Sequence, residues 1–159
     1  MEKAIAVLRV FWGLVYFSNG LAKLVPGIAH LPGGYLIDSQ GARSIISHEV
    51  KNHPVGLYHD LVFNVLLPNW GFFGPLVGLT EMTAGILLIL GLAAPLGALL
   101  GAALALHLQF ATMFNNPWLF EYAVEWVPLL CLAFMRPGRF YGLDGTVWRS
   151  RERLHAVFA

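Results

Sequence analysis

Residues 71–114 read GFFGPLVGLTEMTAGILLILGLAAPLGALLGAALALHLQFATMF, and the only carboxylate or fixed cation in that stretch is Glu81. A bilayer's hydrocarbon core, about 30 Å thick, is crossed by about 20 mostly apolar residues rising 1.5 Å each. Pro95, following Ala93-Ala94, divides the stretch into two segments, 71–92 and 96–114, each long enough to cross. So short a connection makes them antiparallel neighbours. A helix of a soluble bundle needs a charged face toward water, and neither segment has one. The pair reads as a transmembrane hairpin.

Working outward, residues 5–25 form a similar segment carrying Arg9 and Lys23, and residues 119–135 form a fourth carrying Glu121 and Glu125. Asn115-Asn116-Pro117 turns the third segment into the fourth. The expected fold is therefore an all-α membrane protein, a four-transmembrane-helix antiparallel bundle. It forms a single domain over 1–145, with an outer loop over 26–70 and a tail over 146–159. Composition agrees, since 57% of the 159 residues are hydrophobic and 12% charged, against roughly a quarter charged in soluble domains. The N-terminus starts like a secretory signal, with Lys3 before apolar residues. Arg9 breaks that run and no small-x-small cleavage site precedes Lys23, so an uncleaved anchor is expected.

Several function classes drop out. A net charge of +1 argues against nucleic acid as a partner, which needs clustered base. The single cysteine, Cys131, cannot close a disulfide or run dithiol chemistry within the chain. A bis-histidine haem needs two intramembrane histidines and only His107 qualifies. No phosphate-binding glycine loop, HExxH or cysteine cluster occurs, so no haem, flavin or metal site is expected.

Arg136, Arg139, Arg149, Arg151 and Arg153 follow the last segment, which predicts a cytoplasmic C-terminus. An even helix number puts the N-terminus on the same side, in the cell inner (cytoplasmic) membrane, with loop 26–70 outside. In that loop Leu57, Leu61 and Val65 recur every four residues after Asn52-His53-Pro54, predicting a short amphipathic helix against the bundle or in the interface. His30, His48, His53 and His59 lack helical ligand spacing and read as surface histidines. The tail, where arginines alternate with Trp148, Leu154 and Phe158, reads as a basic interfacial helix.

Ionisable groups inside a membrane segment are costly and turn toward protein or a wet cavity. On the first segment Arg9, Trp12, Tyr16, Asn19 and Lys23 fall at spacings of 3, 4, 3 and 4, a stripe about 80° wide. Gly74, Gly78, Glu81 and Gly85 share one arc of the second segment, so Glu81 points at a neighbouring helix. On the fourth, Glu121 and Glu125 lie one turn apart with Trp118 on their flank. Position along each segment places Glu81 near the midplane, with Tyr16, His107 and Glu125 slightly outward. By the same measure Lys23 lies about 13 Å outward and Arg9 about 8 Å toward the cytoplasm.

Two readings of these residues stand side by side. In the structural one, Lys23 or Arg9 neutralises a buried glutamate and the aromatic rings are packing. In the functional one, they receive a polar-headed lipophilic ligand such as a quinone, with Glu81, His107 and Glu125 handling protons. Arg9, Trp12, Tyr16, Asn19, Lys23 and Trp118 then bind the headgroup.

Three pieces resemble the DoxX/DoxD family of four-helix membrane proteins. They are LRVFWGLVYFSNGLAKL over 8–24, EMTAGILLILGL over 81–92, and Tyr141-Gly142-Leu143-Asp144. The long first loop ending in Leu67-Pro68-Asn69-Trp70 looks closest to the DoxD branch, the small-subunit type of thiosulfate:quinone oxidoreductase. That resemblance implies a quinone-linked redox subunit working with other membrane or periplasmic subunits and passing electrons from a sulfur-type donor to quinone. The competing expectation is a non-catalytic accessory or scaffold subunit of a larger membrane complex, with Gly74/Gly78 and Gly97/Gly101 serving helix association. A small transporter ranks last, because broken helices and repeats are lacking.

Overall fold

The computed structural model describes residues 2–28, 36–115 and 120–146. Trp118, His30 and the expected interfacial tail from Val147 lie outside the described residues. The described chain is all-helical. Its long elements are α1 (Glu2–Leu24), α4 (Trp70–Leu90) and α5 (Ala94–Thr112), each long and apolar enough to cross a membrane. A shorter apolar helix, α6 (Ala123–Met135), packs on α5. Between α1 and α4 lie α2 (Ser39–Glu49), α3 (Gly56–Leu61) and a π-helical turn, Val62–Leu66.

Helix α1 runs antiparallel to α4 in the closest contact of the molecule. Small residues make it possible. A Cβ added at Gly20 would stand 2.5 Å from the Met82 amide nitrogen and 2.6 Å from the Gly78 carbonyl oxygen. One added at Gly85 would run into the Phe17 backbone. The interface is thus backbone against backbone, the arrangement that helices without a hydrophobic driving force between them use. The glycines expected to attract a partner are occupied within the chain: Gly78 lies against Lys23 and Leu24, Gly97 against Leu87, and Gly101 against Tyr16 and Leu129. Trp12, Tyr16, Ala84, Leu88, Ala98, Ala102, Leu129 and Leu132 close the core where α1, α4, α5 and α6 meet.

One end of the bundle is tied by charge. Arg9 is 1% exposed. Its Nη1 donates to the Leu88 carbonyl at 2.6 Å and to Ile89 at 3.2 Å, and Nη2 donates to the Tyr141 carbonyl at 3.1 Å. The last carbonyls of a helix lack partners within it and carry its negative dipole end, so a guanidinium at the α4 terminus answers both needs. There α4 stops at Gly91, whose φ of +64° suits a residue without a Cβ, and Leu92 donates back to Leu87 at 3.2 Å. Ala93 has no side chain to cap α5. Asp144 does so from beyond α6, accepting from the Ala93 and Ala94 amides at 2.7 and 3.1 Å.

The other end is capped by α2 and α3. Asp38 caps α2 by accepting from the Gly41 amide at 2.6 Å. Ile46 and Val50 of α2 pack with Val62, Leu67 and Ala111 in a second core. Trp70 at the start of α4 donates to the Ser39 carbonyl at 3.0 Å.

Three expectations need correction. Loop 26–70 holds two helices and a π turn where one short helix was expected. Its stripe Leu57, Leu61 and Val65 faces outward, with Leu57 84% exposed, while Val62 and Leu67 turn inward. The π turn sets the spacing of the inward pair, because Leu67 bonds back five residues to Val62 and the two side chains share the buried face. The fourth helix begins at Ala123 instead of 119, after a turn over 120–122. At 1.5 Å per residue its 13 residues extend about 20 Å. Leu119 and Phe120 lengthened the apolar run without marking where helical backbone starts.

If the α1–α4 contact holds the fold, Gly20→Leu should overpack it and cost about 1–3 kcal/mol or more. That would read as a lower thermal midpoint in detergent. Gly71→Ala, with nothing within 4 Å of the added carbon, should leave the midpoint unchanged or higher.

Candidate functional site

The residues of the α1 polar stripe find different partners along the helix. Arg9 sits at the α5-capping end with its protons directed at carbonyls. Trp12 and Tyr16 are buried facing α5 and α6, and Tyr16 Oη donates to the Gly101 carbonyl at 2.8 Å. Asn19 donates to the Val15 carbonyl of its own helix at 3.0 Å. Lys23, in the last turn, pairs with Glu81 with Nζ 2.8 Å from Oε2, the two side chains only 6% and 14% exposed.

That pair revises the depth expected for Lys23. Gly78 of α4 lies against Lys23 Cβ, so Lys23 is level with the middle of α4. Helix α1 is displaced along α4 toward the Arg9 end, and α2 occupies the space beyond its other end, with Ser39 against Gly74. Glu125 in the first turn of α6 is half-buried and within electrostatic reach of Glu81, and Tyr16 is within reach of both. Lys23, Glu81, Tyr16 and Glu125 therefore form one interior polar group. Its cation and nearest carboxylate already neutralise each other.

His107 belongs elsewhere. It lies on the exposed side of α5, where Nε2 is 2.9 Å from Tyr58 Oη of α3. Beside this pair, His53 is 6% exposed and packed among the rings of Tyr58, Phe110 and Phe114 at centroid distances of 4.8–5.0 Å. Its Nδ1 accepts from the Val55 amide at 3.3 Å, and Nε2 lies 3.1 Å from the Phe110 carbonyl. A carbonyl only accepts, so His53 carries its proton on Nε2. Sequence reasoning missed Tyr58 and read His53 as a surface histidine, whereas His53 is buried among aromatic rings. Tyr58 directly follows the outward Leu57, and His53 lies three residues before α3 begins at Gly56.

The two groups differ in what they offer a ligand. The interior group lies between helices and its ion pair is closed. The Tyr58–His107 pair lies at the surface of a helix long enough to cross a membrane, with one donor and one acceptor among aromatic rings. Phe110 and Phe114 are exposed beside it. Burial pushes the Tyr58 phenol up to about 12, so it is a neutral donor under ordinary conditions. Among the described residues no three His, Cys, Asp or Glu side chains come together as metal ligands. The chain matches no family model, no curated protein and no solved structure.

Two outcomes test this geometry. Lys23→Met should destabilise the fold by about 3 kcal/mol by stranding a buried carboxylate, and adding Glu81→Leu should recover most of that loss. Equal losses in the single and double variants, read from unfolding midpoints, would show that the pair is not coupled. Separately, the folded chain retains a Tyr58 proton that the unfolded chain loses from about pH 10. Stability should therefore decline between about pH 10 and about pH 12, and Tyr58→Phe should flatten that decline relative to the parent.

Proposed function

We propose that this chain is a multi-pass inner-membrane subunit of a quinone-linked redox system and that the Tyr58–His107 pair receives the quinone headgroup. The observation that carries the reading is the hydrogen-bonded phenol and imidazole on the exposed flank of α5, with the Phe110 ring against Tyr58. A quinone carbonyl oxygen accepts a hydrogen bond from either group, while its ring packs on aromatic faces. Reduction to quinol consumes two electrons and two protons, and a hydrogen-bonded Tyr–His pair is a chain along which a proton moves to the reduced oxygen. The electrons come from a partner subunit, because Cys131 alone cannot cycle as a dithiol. The likeness of residues 8–24 and 81–92 to the DoxX/DoxD family supports the same class of activity.

In this reading four helices cross the membrane, α6 doing so with the residues before it, and both termini are cytoplasmic. The α2–α3 end then faces the periplasm, where a sulfur-type donor would deliver electrons. Glu81 and Lys23 hold α1 against α4, and Glu125 is the reserve carboxylate nearest them.

One observation favours the non-catalytic alternative, an accessory subunit. Both Nη atoms of Arg9 bond to carbonyls within the chain and Lys23 pairs with Glu81, so partners inside the chain account for most of the polar atoms these buried groups carry. The experiment that separates the readings is titration of the purified protein with a short-tailed ubiquinone analogue. Tyr58→Phe and His107→Leu should each weaken binding about tenfold, the worth of a hydrogen bond made in an apolar setting, with little change in thermal midpoint. Absence of saturable binding in the parent protein, or unchanged affinity in both variants, would leave the accessory role.

A further inference from the structure

At the α2–α3 end, α2 and the start of α4 enclose a groove of about 380 Å³, bordered by Ser39, Gln40 and Arg43 on one side and by Trp70, Gly71 and Pro75 on the other. A second recess of about 310 Å³ shares Gln40, Arg43 and Leu67 and adds Ser44 and Ser47, so the two form one trough along α2. This trough contains none of the residues of the interior group or of the Tyr58–His107 pair.

Its two walls have opposite chemistry. Arg43 is exposed and makes no hydrogen bond or ion pair among the described residues. Hydroxyls of Ser39, Ser44 and Ser47 and the amide of Gln40 stand on the same helix. The α4 wall is apolar. Gly71, Pro75 and Leu79 follow one another at four-residue spacing along one ridge, all exposed, and beside them runs the exposed row Phe72, Leu76. That ridge descends from the trough along a helix long enough to cross a membrane. Trp70 marks its start, a residue type that gathers at the headgroup level of bilayers. A soluble anion would use Arg43 and leave the ridge unexplained. A hydrocarbon would use the ridge and leave Arg43 unexplained. A molecule with a negative head and an acyl tail uses both.

We propose that this trough binds a phospholipid with a net anionic headgroup, its phosphate held by Arg43 and the Ser39–Ser47 face of α2, its acyl chain lying along Gly71–Pro75–Leu79. Guanidinium pairs with phosphate oxygens through parallel N–H donors, and juxtamembrane cations attract anionic lipid headgroups. The site is independent of the quinone reading.

Native mass spectrometry of the full chain released from detergent tests it, with phosphatidylglycerol and phosphatidylcholine of identical acyl chains as probes and inorganic phosphate as a third. Phosphatidylglycerol should be retained about tenfold better than phosphatidylcholine, the scale of one charge-assisted contact. Arg43→Gln should abolish that preference while Lys51→Gln, an exposed cation outside the trough, preserves it. Gly71→Leu, which narrows the trough without touching charge, should lower retention of both lipids and serves as the second variant should Arg43→Gln fail to fold. Equal retention of the two lipids, or an unchanged preference in Arg43→Gln, overturns the proposal. So does inorganic phosphate binding as tightly as phosphatidylglycerol, which would make this a site for free anions.

Discussion

The register between α1 and α4 governs most of what this molecule can do. Gly20 and Gly85 let the two backbones touch, and once they touch in one register the charged residues at either end of α1 have fixed destinations. Lys23 meets Glu81, and Arg9, about 21 Å away along the helix, meets the open carbonyls of α4. Slipping the pair by one turn would take both cations away from their partners. Helices in lipid lack a hydrophobic drive to associate, so close backbone contact and paired charge have to select the arrangement, and here each enforces the other.

That economy separates structural from available chemistry. Arg9 directs its Nη protons at carbonyls and Lys23 faces a carboxylate, so both are engaged mainly within the chain. Two sets of outward-facing polar groups lie at the α2–α3 end: the Tyr58–His107 pair on one flank and Arg43 with its hydroxyl neighbours on another. Tyr58 and Arg43 both come from the segment between the first and second long helices. The long helices provide a rigid frame, and the inserted segment supplies the surface chemistry, a division common where loops ride on a stable scaffold.

Much of the frame was legible in the sequence. The spacing of Arg9, Trp12 and Tyr16 placed them on an inward stripe, and all three are buried. The glycine arc around Glu81 pointed it at a helix neighbour, which is Lys23. The unreadable parts involve separations that no local pattern records. Nothing near Arg9 says that its acceptors are 79 to 132 residues away. Position within a segment set Lys23 well apart from the level of Glu81, its actual partner, because helix ends say nothing about how far one helix slides along another. The α2 helix went unread although Asp38 and Gly41 carry its cap, since its apolar residues are few and its core contacts are with Val62 and Ala111. Tyr58 escaped notice because its importance comes from His107, a residue on a different helix.

The position of Asp144 bears on how the protein is made. The α4–α5 hairpin can enter the bilayer as a unit, yet the amides at its turn find their acceptor only after α6 and the segment beyond it have been synthesised. The Arg9 guanidinium likewise waits for the Tyr141 carbonyl. Residues near the C-terminus thus act as a clasp fastened last over elements inserted first. A nascent chain halted before this clasp leaves the Ala93 and Ala94 amides and part of the Arg9 guanidinium without these acceptors, a physical difference between the unfinished chain and the completed fold.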